Sequence, residues 1–171
     1  MKPVPMMRSL LRGLALFFPL VVGLRLAATP AGAADSSLAV VAGDPWDASD
    51  LIAPAQLAKI LDGAAGEKPT VFCVGVSSLY HNGHIVGAKY AGPGSSPKGI
   101  ASLKNAVRDL ARDAPLVIYC GCCPWTDCPN IRPAYGYLHT AGFKHVRVLT
   151  LPSNFRRDWV DHDFPVAKAK T

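Results

Sequence analysis

The strongest constraint on this chain is a recurrence of short apolar, β-branched runs separated by stretches of helical spacing. Residues 69–74 (PTVFCV), 115–119 (PLVIY) and 146–149 (VRVL) are such runs. Each is too short for a helix and too evenly apolar for a strand with one wet face, so each reads as a strand buried on both sides. A further short strand is expected over residues 84–90 (HIVGAKY), after a loop. Between the runs, Pro54 opens a helix on which Leu57, Ile60 and Leu61 recur, with Gly63 and Gly66 ending it. Residues 92–99 read as a loop. Residues 100–111 carry Ile100, Leu103, Val107 and Leu110 on one face, an amphipathic helix. A helix over 133–140 is closed by Ala141 and Gly142, and residues 154–160 allow one or two helical turns ending near Trp159, a core residue. Strand alternating with helix predicts an α/β fold, with a mostly parallel sheet of about five strands covered by helices on both faces.

The N-terminal segment does not share this pattern. Residues 1–12 are basic, 14–24 (LALFFPLVVGL) are apolar, and Ala31-Gly32-Ala33 is a small-residue cleavage site, the order of a secretory signal peptide. The apolar run is shorter than the roughly 20 residues a spanning helix needs. The expectation is therefore a signal segment over 1–33, a surface leader over 34–50, one domain over 51–167 and a tail over 168–171. The mature protein would be secreted or periplasmic, with no stable membrane anchor. Lys2, Arg8, Arg12 and Arg25 all fall in the segment to be removed, which leaves 14 basic and 12 acidic residues and a mature charge of +2. That balance argues against a nucleic-acid partner, which calls for a concentrated basic face.

Chemistry concentrates in residues 120–134 (CGCCPWTDCPNIRPA). Four of the five cysteines, Cys120, Cys122, Cys123 and Cys128, fall within nine residues, and Cys73 stands apart. Stapling needs separated partners, so clustering points to a site. Cys120 follows a buried strand directly and precedes a helix start. In parallel sheets this position beyond the carboxyl end of a strand is where sites form, and helix N–H groups there favour a thiolate, the reactive form of cysteine. Cys120 and Cys123 are the candidate catalytic residues. Arg132 offers a fixed positive charge to an anionic substrate. Gly121 and Cys122 are the adjoining substrate-binding positions. Trp125 is a candidate cover, although packing of a long loop explains it more simply. Cys122, Cys123 and Cys128 are candidate disulfide or redox partners, Cys128 being the better mate for either of the adjacent pair. The intervals C-x-C, C-C and C-x₄-C are not the paired knuckles of familiar zinc sites, so no metal ligand and no cofactor is assigned. Thiol–disulfide exchange, soft-metal binding to copper or zinc, a merely braced loop and a non-catalytic binding module remain as alternatives.

Several segments resemble the rhodanese (sulfurtransferase) family. Residues 83–88 (GHIVGA) look like its GHIPGA segment, and residues 117–120 (VIYC) look like the strand that delivers its active cysteine. Residues 141–146 (AGFKHV) are similar to its AGF-x-x-V. Residues 151–166, with Trp159, Phe164, Pro165 and Val166, resemble its closing segment. The pieces stand in the family's order across roughly 51–167. The resemblance implies a rhodanese fold in which Cys120 accepts sulfane sulfur as a persulfide. The loop's backbone N–H groups would cradle that persulfide, and the sulfur would pass to a thiol acceptor, carried by a small molecule or a partner protein. The donor would be a small sulfur-containing anion. The sequence departs from the family pattern in a loop about five residues longer, and in Cys73-Val74-Gly75 where the family has Asp-Val-Arg. Cys73 is thereby expected to face the loop from a neighbouring strand.

Overall fold

The three apolar runs lie side by side in one parallel sheet. The computed structural model describes residues 43–63 and 67–168. The expected signal segment and cleavage site, the leader up to residue 42, Gly66 and residues 169–171 lie outside the described residues. Strand β1 (Leu51–Ile52) and helix α1 (Pro54–Asp62) lead into β2 (Thr70–Cys73). Helix α2 (Ser77–Asn82) and strand β3 (His84–Ile85) precede β4 (Lys89–Tyr90). Helix α3 (Pro97–Val107) leads to β5 (Leu116–Tyr119), α4 (Ile131–Thr140) to β6 (Val146–Leu149), and α5 (Phe155–Asp158) to β7 (Val166–Ala167). The main sheet runs β1-β6-β5-β2-β4 with every pair parallel.

Strand β5 is central, and all four of its residues are buried. Its alternate residues feed two different cores. Leu116 and Ile118 pack with Leu103 and Val107 of α3 and with Ala134 and Leu138 of α4. Val117 and Tyr119 pack with Leu57 and Ala58 of α1 and with Trp159. Two apolar faces explain why the strand reads as a continuous apolar run.

Local chemistry moves several boundaries. Helix α3 begins three residues before the expected start and ends at Val107, because Ser96 caps it through its hydroxyl, which accepts the Gly99 N–H at 3.0 Å, and Pro97 fits the first helical position. Helix α4 begins at Ile131, so Pro133 sits in the first turn, where its missing N–H has no intrahelical partner to lose. The expected strand over 84–90 is broken. Gly87 adopts φ +78°, a turn that splits β3 from β4. β3 then pairs antiparallel with β7 in a separate two-stranded sheet, while β4 joins the edge of the main sheet. Helix α2 occupies what reads in sequence as a loop.

The leader also differs from expectation over its described part. Trp46 is buried, with its ring 6.0 Å from that of Trp125 and 5.4 Å from that of Tyr135. An indole carries too much apolar area to leave in water when a pocket is within reach. Trp46 thus anchors the described part of the leader in the core, while residues 43, 45 and 47–49 are exposed.

Candidate active site at the end of the central strand

Cys120 lies at the carboxyl end of β5 and is almost wholly buried. The backbone around it is packed too tightly for ordinary side chains. Gly121 turns the chain at φ +83°, and a Cβ there would sit 2.8 Å from the Cβ of Phe155. Its carbonyl accepts the Phe155 N–H at 3.0 Å, which ties the loop to α5. From the neighbouring strand end, a Cβ on Gly75 would fall 2.6 Å from the Cys120 carbonyl oxygen. Cys73 lies beneath the loop, its thiol directed at the same carbonyl at 4.0 Å. Burial pushes the Cys73 thiol up to about 11, so it is protonated at neutral pH.

From Cys120 the chain makes an outward excursion and returns. A 3₁₀ turn over Trp125–Asp127 anchors it through the Trp125 N–H, which donates to the Leu151 carbonyl at 3.0 Å. The return brings Cys128 in buried, at the start of α4. The sulfurs of Cys120, Cys122 and Cys128 all lie within 4.8 Å of one another. Cys120 and Cys122 are 3.1 Å apart, and Cys122 and Cys123 3.2 Å. Cys122 is exposed and Cys123 half-buried, so the group runs from solvent into the core.

Asn130 is the buried polar residue of this region. It takes helical backbone angles and makes no side-chain cap bond. Its Nδ2 donates to the Cys120 sulfur at 3.3 Å, while its Oδ1 accepts from the N–H and hydroxyl of Ser95. The approach is possible because residue 94 is glycine: a Cβ there would lie 2.1 Å from the Asn130 carbonyl oxygen.

The charge in this cluster sits on Cys128. The neighbouring Cys120 thiol, and next the backbone N–H groups of Asn130 and Ile131, bring the Cys128 thiol down to about 6 against the effect of burial. Cys120 is pushed strongly upward, first by the neighbouring Cys128 thiol and then by burial. The two shifts run in opposite directions, so negative charge is favoured on Cys128 over Cys120. Cys123 is pushed up to about 12, by burial and then by its bond to Cys122.

Beside Cys120 opens a cleft of about 590 Å³. Cys120, Gly121 and Cys122 line it, facing Leu79 and Tyr80 of α2 and Phe155 and Arg156 of α5. Arg132 is not part of this lining. It is paired with the buried carboxylate of Asp44 at 2.6 Å, donates to the Thr126 carbonyl at 2.8 Å, and lies over the Trp46 ring. Trp125 packs into the core beside Trp46. Of the residues expected to bind substrate, then, Gly121 and Cys122 reach the cleft, while Arg132 and Trp125 brace the loop from behind. Cys123 packs against the core cluster and is not among the cleft residues. Arg156 and Asn130 carry no motif signal in the sequence. His84 stacks on Tyr80 with ring centroids 3.9 Å apart, and its Nδ1 bonds the Tyr80 carbonyl, the role of a structural histidine.

No family model matches the sequence, and no curated protein matches it significantly. Solved structures do. The Alr3790 protein of Anabaena sp., in a crystal structure, is 22% identical over 69% of this chain and 82% of its own, with a TM-score of 0.52. The solution structure of the rhodanese-like domain of the same Anabaena protein is 21% identical over 70% of this chain and 80% of its own, with a TM-score of 0.52. The BH2092 protein of Bacillus halodurans is 22% identical over 70% of this chain and 77% of its own, with a TM-score of 0.51. The chain has a rhodanese-like α/β fold, with a cysteine-rich loop at the end of its central strand.

Proposed function

We propose that the domain is a sulfurtransferase in which Cys120 takes one sulfane sulfur from a small anionic donor and hands it to a thiol acceptor. The observation that carries this reading is the setting of Cys120: a thiol at the carboxyl end of the central strand, lining a cleft, with a hydrogen-bond donor and a proton acceptor at its sulfur. In the loading step the Cys120 sulfur attacks the outer sulfur of a donor such as thiosulfate. A sulfur–sulfur bond forms on Cys120, the donor's sulfur–sulfur bond breaks, and sulfite leaves with the electron pair. The Cys120 proton passes to the neighbouring Cys128 thiolate, whose sulfur lies within 4.8 Å of its own. Negative charge on Cys120 is met by Asn130 Nδ2 and by the Cys122 backbone N–H. In the second step an acceptor thiolate attacks the terminal sulfur, leaves as a persulfide, and returns Cys120 as a thiolate that recovers the proton from Cys128. Arg156 and Lys168, on the cleft wall, are the cations that an anionic donor would meet.

The reading includes an exported location, based on the first 33 residues, and N-terminal sequencing of the mature protein tests that part. An exported thiol faces an oxidising compartment, and the burial of Cys120 fits a need for protection. The central test is intact-mass analysis with and without thiosulfate or polysulfide. Wild type gains the mass of one sulfur atom, and Cys120→Ser gains none. Sulfur loading of Cys120→Ser at the wild-type rate would overturn the assignment.

Thiol–disulfide exchange is a second reading, favoured by the 3.1 Å separation of the Cys120 and Cys122 sulfurs. It requires two loop cysteines for every turnover, so loss of all activity in Cys122→Ser, with sulfur loading also absent in wild type, would select it.

A further inference from the structure

We propose that Cys120, Cys122 and Cys128 form a three-thiolate site for a single Cu(I) ion. The inference does not depend on sulfur transfer, because it rests on where the three sulfurs lie. They come from a strand end, a turn and a helix start, and all are within 4.8 Å of one another. Three sulfurs bound at about 2.3 Å around one ion in a plane lie about 4 Å apart. The present triangle therefore needs only a small opening between Cys120 and Cys122, now 3.1 Å apart. Cys122 can provide it, because it is exposed and follows the left-handed turn at Gly121.

The donor set selects the ion. All three ligands are thiolates, and the side-chain nitrogen nearest to them, Asn130 Nδ2, is a hydrogen-bond donor and not a ligand. Soft sulfur ligands suit Cu(I), Zn(II) and iron–sulfur clusters, and structural zinc takes four ligands. A fourth thiolate would have to be Cys73 or Cys123, and neither belongs to the group of sulfurs mutually within 4.8 Å. The Cys73 thiol is directed at the Cys120 carbonyl, and Cys123, although its sulfur is 3.2 Å from that of Cys122, packs against the core cluster. Three-coordinate Cu(I) asks for no fourth ligand. An outer-shell donor is also present: Asn130 Nδ2 donates to Cys120 at 3.3 Å. Such a donor offsets the negative charge of a trithiolate and holds its ligand in place. Two ligands are buried and one is exposed, which gives the ion an entry path from the cleft through Cys122.

The test is an anaerobic titration of the reduced mature protein with Cu(I), supplied as its acetonitrile complex, in competition with a chromophoric Cu(I) chelator. One Cu(I) per chain should leave the chelator, with a thiolate-to-copper charge-transfer band and an X-ray absorption shell of three sulfurs. Cys122→Ser and Cys128→Ser should each weaken binding by more than about a hundredfold, beyond the usual loss from an outer-shell change. Cys123→Ser should stay within about threefold of wild type, with circular dichroism confirming that each variant is folded. All copper remaining on the chelator would overturn the proposal. So would equal weakening by Cys123→Ser, or a four-sulfur shell formed preferentially with Zn(II). The outcome is separable from sulfur transfer, since copper binding without any sulfur loading would reject only the latter. If both hold, copper-loaded protein takes up no sulfane sulfur, because Cys120 is occupied.

Discussion

Asn130 holds Cys120 from the side, donating from Nδ2 to its sulfur at 3.3 Å. The amide cannot turn over, because Oδ1 already accepts from the Ser95 N–H at 3.1 Å and from the Ser95 hydroxyl at 2.8 Å. Asn130 is thus a positioning residue for the reactive sulfur. A hydrogen bond to a charged group contributes about 1.5–3 kcal/mol. Asn130→Ala should therefore slow single-turnover sulfur loading by about ten- to a hundredfold. Asn130→Asp should slow it further, since a carboxylate repels a sulfur anion. It should also move the pH–rate profile, which a purely structural defect would not do. Equal loading by wild type and Asn130→Ala would remove the residue from the mechanism.

The thiols make stability depend on pH in two directions. Cys128 is brought down to about 6 in the folded protein, against an ordinary value of 9.0, chiefly by the neighbouring Cys120 thiol. Between these values the folded state has released a proton that the unfolded chain still holds. Stability from this group is complete above about pH 9, falls as the pH falls, and is gone below about pH 6. Above pH 9 the sign reverses, because Cys120, Cys73 and Cys123 keep protons that the unfolded chain gives up. Urea denaturation of fully reduced protein should show a maximum near about pH 9. Cys128→Ser should flatten the acid side. An unchanged acid side in that variant would place the low-titrating thiol elsewhere.

Gly121 should tolerate no side chain. Its φ of +83° is left-handed, and a Cβ would press to within 2.8 Å of Phe155. Gly121→Ala should cost about 1–3 kcal/mol in chemical denaturation. It should also slow sulfur loading, because the turn sets the direction of both Cys120 and Cys122. Gly87 is the comparison, since it too has a positive φ but faces open space where a methyl would sit. Gly87→Ala should meet only the backbone cost and leave sulfur loading at the wild-type rate.

The sheet was legible because its strands are buried on both faces. Residues 116–119 carry no polar residue to blur the period, and they place Cys120 at the strand end without help from tertiary structure. The residues around the site were less legible, because their roles depend on contacts between distant segments. Arg132 reads as an anion ligand from its charge and its place at a helix start. Its partner Asp44 lies 88 residues away in a segment without periodicity. Asn130 carries no such signal, and its place beside Cys120 depends on the glycine at 94, where a Cβ would lie 2.1 Å from the Asn130 carbonyl oxygen. The sequence offers Cys123 as the second catalytic thiol, yet the thiol shifted downward is the buried Cys128, while Cys123 is shifted upward.

The two arginines give the sharpest separation of bracing from binding. The Asp44 side chain is 1% exposed, and Arg132 is its ion-pair partner at 2.6 Å. Removing one partner of a buried pair strands the other charge, at about 3–5 kcal/mol for full burial. Arg132 is one-third exposed, so the lower end, about 3 kcal/mol, is expected for Arg132→Ala. Its KM for thiosulfate should stay near wild type at a temperature where the variant is folded. Arg156 is 84% exposed, and its contact with Asp161 is long, at 3.8 Å. Arg156→Ala should therefore leave the urea midpoint unchanged. It should raise the KM for thiosulfate by about three- to tenfold, the effect of one exposed charge on an anion, and the rise should shrink with added salt. Urea denaturation and steady-state kinetics on the two variants decide the matter. A raised KM in Arg132→Ala with normal stability would mean that the donor approaches from the Asp44 side of the loop and not through the cleft.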